Sequence, residues 1–173
     1  MIIRATKKLL NISRIEPIKG TTEPVDDLPG EWYASLVSMG RPGKLSIHFL
    51  HHPTLITVLI PGKSLTQALL SLSGRASSLL RRQGFAALEP FFQLVSKPQI
   101  LATNSRTMLG YMNTMKLSLE IHFVRADSLD EIDFSYLEDI HFEYLFGCKL
   151  SQGKYIRPGE ILSEMIKRRE KGN

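Results

Sequence analysis

Between Glu31 and Ile60 three short apolar stretches alternate with strong turn chemistry, and this pattern restricts the chain more than any other. Glu31 to Met39 is followed by Gly40-Arg41-Pro42-Gly43, Lys44 to His51 by Pro53-Thr54, and Leu55 to Ile60 by Pro61-Gly62. Glycine and proline at these places punctuate the backbone, leaving runs of strand length. In the second run Leu45, Ile47 and Phe49 alternate with Ser46 and His48, the period-two signature of a strand. Leu55 to Ile60 is β-branched and apolar, which suits a buried strand; for Glu31 to Met39 a helix is the open alternative. Three successive strands with short links predict an antiparallel meander.

The remainder carries helical periodicity. Leu65, Leu69, Leu72, Ala76 and Leu79 form one apolar stripe in a helix over Ser64 to Arg82, which Gly84 can end. Residues 86–95 give a shorter piece interrupted by Pro90, and Asn104 to Ala126 the longest helix. Ile2 to Ala5 and Lys97 to Thr103 read as further strands, and Thr6 as the N-cap of a short helix beginning at Lys7. Residues 13–30 hold three prolines and two glycines and read as a loop. Asp127 to Phe146 fits helix first and irregular or strand structure later, and Glu160 to Lys171 fits a polar C-terminal helix. The expected fold is α+β: a mostly antiparallel sheet with helices packed on it, in a single domain over 1–150. Residues 151–173 read as a basic C-terminal helical extension.

With 173 residues, 43% hydrophobic and 23% charged, the chain matches an ordinary globular domain and not a disordered one. Its one cysteine, Cys148, reads as a small, partly buried apolar residue and allows no internal disulfide. Residues 1–10 lack the shape of a signal peptide, and the longest apolar run, Leu55 to Ile60, is far short of a membrane span. A cytoplasmic protein without membrane contact is the expectation.

The net charge of +5 is unevenly spread: 14 Lys/Arg against 6 Asp/Glu before residue 119, 1 against 8 over 119–147, and 7 against 3 after that. Such asymmetry admits a nucleic-acid surface built from Arg75, Arg81, Arg82 and the Lys167-Arg168-Arg169 tail. The competing explanation is that the acidic segment packs against the scattered basic residues and neutralises them.

The stretch Thr103 to Asn113 is the richest in chemistry. On a helix, Met108, Met112, Met115 and Leu119 line one face, while Arg106, Gly110 and Asn113 start the opposite one. That second face continues as Leu117, Ile121 and Val124, so the later turns are expected to be buried between layers. Two readings of the first turns are open. In one, the free N–H groups and positive dipole end join Arg106 in holding an anion or phosphate, with Asn104 and Asn113 orienting it and Lys7 adding charge. In the other, Arg106 pairs with a buried carboxylate and Asn113 satisfies loop carbonyls.

Five histidines are present, but His51 and His52 point to opposite faces of a strand and His48 with His52 supplies only two ligands. No metal site or cofactor is expected. Asp26-Asp27, Asp130-Glu131 and Glu138-Asp139 read as solvated surface, and Trp32-Tyr33 as core or rim packing. No motif of the common enzyme families occurs, so no catalytic residue can be named.

Thr6-Lys7-Lys8-Leu9-Leu10, Glu31-Trp32-Tyr33-Ala34 with Gly40-Arg41, and the T-N-x-R-x-x-L-G-x-M-N element over Thr103 to Asn113 resemble an uncharacterised family of bacterial domains of unknown function. The resemblance spans roughly residues 1–145 and implies no activity. Three expectations follow for function. The first is a binding or regulatory module with a polar, anion-accepting pocket at Lys7, Asn104, Arg106 and Asn113, acting on a small anionic ligand or a protein partner. The others are nucleic-acid binding and an enzyme acting on a phosphate-containing small molecule.

Overall fold

The computed structural model describes residues 1–20, 27–147 and 155–171. Cys148 and the loop at Gly153 lie outside the described residues. The elements in chain order are β1 (Ile2–Ala5), α1 (Lys7–Ser13), β2 (Glu31–Ser38), β3 (Leu45–His52), β4 (Thr57–Pro61) and α2 (Leu65–Arg82). A 3-10 turn (Ala86–Phe92), β5 (Gln99–Ala102), α3 (Arg106–Arg125), α4 (Phe134–Phe142), β6 (Phe146–Gly147), β7 (Tyr155–Ile156) and α5 (Pro158–Lys171) follow.

The fold is α+β, with a five-stranded sheet in the order β4-β3-β2-β1-β5. The expected meander is β2-β3-β4, whose antiparallel pairs are the longest in the sheet. β1 and β5 add to it in parallel, with Ala5 beside both Ala34 and Ala102. A small β6-β7 ribbon stands apart.

Alternation along the strands divides the core between two faces. Trp32, Ala34, Ile47 and Phe49 face α1 and α2 in the larger cluster. Tyr33 and Leu50 point the other way, onto Met108, Met112 and Met115 of α3 and Ile161 and Met165 of α5. Burial of one such side chain contributes about 1.5–3 kcal/mol, so α5, expected as an extension, is held by its own apolar face.

Both sheet edges are covered. The Ile18 N–H donates to the Ile100 carbonyl at 2.8 Å on β5, and at the other edge the Leu59 N–H of β4 donates to Glu138 Oε1 at 2.9 Å. A covered edge is protected from pairing with a second chain.

Two local expectations are corrected. Leu117, Ile121 and Val124 are 64%, 44% and 67% exposed, so α3 lies on the surface and not between layers. Its methionine face alone reaches the sheet, and nothing among the described residues covers the other. Thr6 does take the N-cap place in extended backbone, but its side chain makes no capping bond. Ser64 and Ser105 do cap α2 and α3, accepting from Gln67 N–H at 3.4 Å and Met108 N–H at 3.2 Å.

Candidate functional site

β1 and β5 run parallel and adjacent, and the chain leaves them toward opposite faces of the sheet. After β1 it enters α1, whose Leu9 and Leu10 join the α2 side; after β5 it enters α3, whose methionines join the other. This divergence is a topological switch point, where parallel sheets leave a crevice beyond the carboxyl ends of their strands. The two exits are tied together by Thr103 N–H, which donates to the Ala5 carbonyl at 3.1 Å.

Lys7 is the first residue of α1 and Arg106 the first of α3, and Asn104 lies just before the latter. Lys7 and Arg106 are exposed and form no ion pair among the described residues. Arg106 therefore has no internal carboxylate partner there. Asn113 stands seven residues further along α3, about 10 Å up its axis, and is not brought to the helix start. The Thr103 hydroxyl oxygen, just after β5, is buried and has no hydrogen-bond partner among the described residues.

Beneath this surface runs a polar chain that sequence reasoning missed. Arg4 donates to Glu31 through Nε at 2.5 Å and through Nη2 at 2.8 Å, and both side chains are buried. Tyr33 Oη lies 3.4 Å from Glu31 Oε2 and 3.2 Å from Asn104 Oδ1, so its single proton serves one or the other. Burial, reinforced by the Glu31 charge, pushes the Tyr33 phenol up to about 12. The hydrogen bond to Glu31 raises the Arg4 guanidinium still further above its ordinary value. Arg4 and Glu31 occur in unlike segments, and only the parallel pairing of β1 with β2 makes them neighbours.

The other candidate cations are differently placed. Glu138 of α4 is buried; its Oε1 accepts from Arg75 Nη2 at 2.8 Å and its Oε2 from Arg82 Nη2 at 3.1 Å. Burial raises the Glu138 carboxyl above its ordinary value, against the pull of the Leu59 N–H and both guanidiniums. Arg82 also pairs with Asp139, and Arg81 with Glu89. In the last helix Arg168 pairs with Glu164, Arg169 reaches Asp27 and stacks on the Phe91 ring, and Lys167 is exposed. The acidic segment 119–147 thus neutralises part of the basic one, and Glu138-Asp139 is a buried anchor beside a half-buried carboxylate held by Arg82, not a solvated pair.

Three of the five histidines belong to the core. His48, His51 and His141 are all buried. Desolvation lowers His48 and His51 to about 3, and lowers His141 as well. His51 is fixed between Thr54 Oγ1 at 2.8 Å and the Pro29 carbonyl at 2.9 Å, whereas His48 Nδ1 and His141 Nε2 have no partner among the described residues.

A family model for a domain of unknown function, DUF6933, matches residues 2–161. The chain belongs to this family. The match takes in the strand exits, the Arg4-Glu31 pair and the start of α5. No curated protein and no solved structure matches the chain. No helix among the described residues is long and apolar enough to cross a membrane.

Proposed function

We propose that this chain is a binding or regulatory module that accepts a small anion at the start of α3, between the exits of β1 and β5. The observation that carries the reading is the switch point itself: adjacent parallel strands lead into α1, which begins at Lys7, and into α3, which begins at Arg106, on opposite faces of the sheet. Free N–H groups and the dipole of a 20-residue helix favour negative charge there. Arg106 supplies the fork that fits a phosphate or carboxylate, Lys7 adds charge, and Asn104, steadied by Tyr33, orients the ligand. Asn113 is too far along the helix to join them.

A binding role fits better than a catalytic one. Glu31, the carboxylate linked to Asn104 through Tyr33, is already held by Arg4 and is not available as a base. A nucleic-acid surface is also less favoured, because Arg75 and Arg82 are engaged by Glu138 and Arg81 by Glu89. Binding to mixed oligonucleotides that weakens steeply with salt would restore that reading.

Thermal unfolding of wild type and Arg106→Ala against inorganic phosphate, nucleotides and small carboxylic acids tests the proposal. A ligand at 100 times its Kd adds about 2.7 kcal/mol, a shift of several degrees. The expected result is a shift in wild type that disappears in a variant of unchanged intrinsic Tm. Equal shifts in both proteins, or none in either, would contradict it.

A further inference from the structure

A cleft lies toward the β4 edge of the sheet, and β2 and β3 stand between that edge and β1. Three segments distant in sequence meet there: the β2-β3 turn, the β4-α2 link and the α3-α4 loop. They line an open cleft of about 550 Å³. Its apolar walls come from Met39, Leu45, Leu129 and Phe134, and Lys44, Lys63 and Asp130 stand at its polar rim.

The rim is what gives the cleft its chemistry. Lys44 and Lys63 are exposed, come from different loops, and form no ion pair among the described residues. By contrast, Arg75 and Arg82 are engaged by Glu138, and Arg41 donates to the Ala126 and Asp127 carbonyls. Gly43 and Gly62 sit beside these two lysines in the positive-φ region, and a Cβ at either would meet nothing within 4 Å. The backbone beside each lysine therefore faces open space. Two cations against one carboxylate, Asp130, leave the rim net positive over an apolar floor.

We propose that this cleft binds an apolar small molecule bearing one anionic group, the anion between Lys44 and Lys63 and the apolar body on Leu45, Leu129 and Phe134. Burial of the body supplies affinity, and the lysines fix orientation. Asp130 selects against a second negative charge on the body and favours a hydrogen-bond donor there.

The test is an amide chemical-shift titration with phenyl phosphate, alongside inorganic phosphate and benzyl alcohol as the two half-ligands. Phenyl phosphate is expected to shift the amides of Lys44, Leu45, Lys63 and Leu129 and to bind at least tenfold tighter than either half. Lys44→Met/Lys63→Met keeps the stems and removes the charge; both residues are exposed, so the variant folds, and its affinity is expected to fall at least tenfold. Leu129→Asp, which charges the floor, is expected to abolish binding while Lys44 and Lys63 remain. Undiminished binding in the double variant, or shifts confined to residues 103–109, would overturn the proposal. The latter result would leave the switch-point reading standing, and shifts at the cleft with none at 103–109 would do the reverse.

Discussion

Arg4 on β1 and Glu31 on β2 form a two-bond ion pair with both side chains buried, across the parallel pairing of the first two strands of the chain. Desolvating two charges offsets much of their attraction, so the pair adds little net stability but is costly to break. Glu31→Gln is expected to lose roughly 3–5 kcal/mol, because it removes one charge of a buried pair. Arg4→Met combined with Glu31→Leu should lose much less than the sum of the single changes. Urea unfolding of the three variants measures this, and additive losses would show that the two charges do not act as a pair.

Tyr33 connects that pair to Asn104 at the surface. Removing the hydroxyl in Tyr33→Phe should cost about 1 kcal/mol, typical of one buried hydrogen bond. It should also abolish one late step near pH 12 in the ultraviolet titration of the tyrosines. A late step that survives the substitution would assign it to another phenol.

Acid should destabilise the fold well above the pH at which carboxylates titrate. His48 and His51 are lowered to about 3 by burial, while in the unfolded chain they titrate near the ordinary value of 6.5. Between these limits the unfolded state binds more protons, so stability falls as pH drops below 6.5 and holds above it. Each histidine contributes a slope of about 1.4 kcal/mol per pH unit, so roughly 4 kcal/mol for the two is lost between pH 7 and 5. Denaturant unfolding at both values, with His48→Leu removing its share, checks the slope. Equal stability at pH 7 and 5 would mean that these rings are not held neutral.

The two faces of α3 should respond oppositely to charge. Leu117→Asp and Val124→Asp change exposed positions and are expected to stay within about 0.5 kcal/mol of wild type. Met112→Asp places a carboxylate against Tyr33 and Leu50 and should prevent folding. Circular dichroism of the three variants distinguishes the faces, and unfolding by Leu117→Asp would place that face inside.

Much of the architecture was legible because it is local. The alternation of Leu45, Ile47 and Phe49 and the turn at Gly40 to Gly43 mark the β2-β3 hairpin, and the stripe from Leu65 to Leu79 marks α2. The polar start of α3 was legible too, since Ser105 and Arg106 stand just before the methionine face. What stayed hidden depends on pairing between distant segments. Nothing near Ile2 or Gln99 reveals that β1 and β5 lie side by side in parallel, and so nothing reveals the switch point. The partnership of Glu138 with Arg75 and Arg82 spans the α2-α4 contact, which is why Glu138 resembled a solvated charge. The outer face of α3 misled for another reason: Leu117, Ile121 and Val124 have helical spacing whether or not anything covers them.

The central claim is that the start of α3 holds an anion through Arg106. The most direct measurement is the Kd of inorganic phosphate for wild type and Arg106→Ala, read from the amide shifts of residues 103–109. The account predicts saturable shifts in wild type and at least a tenfold weaker Kd in a variant that remains folded. Shifts of equal size and affinity in both proteins, or none in wild type, would contradict it.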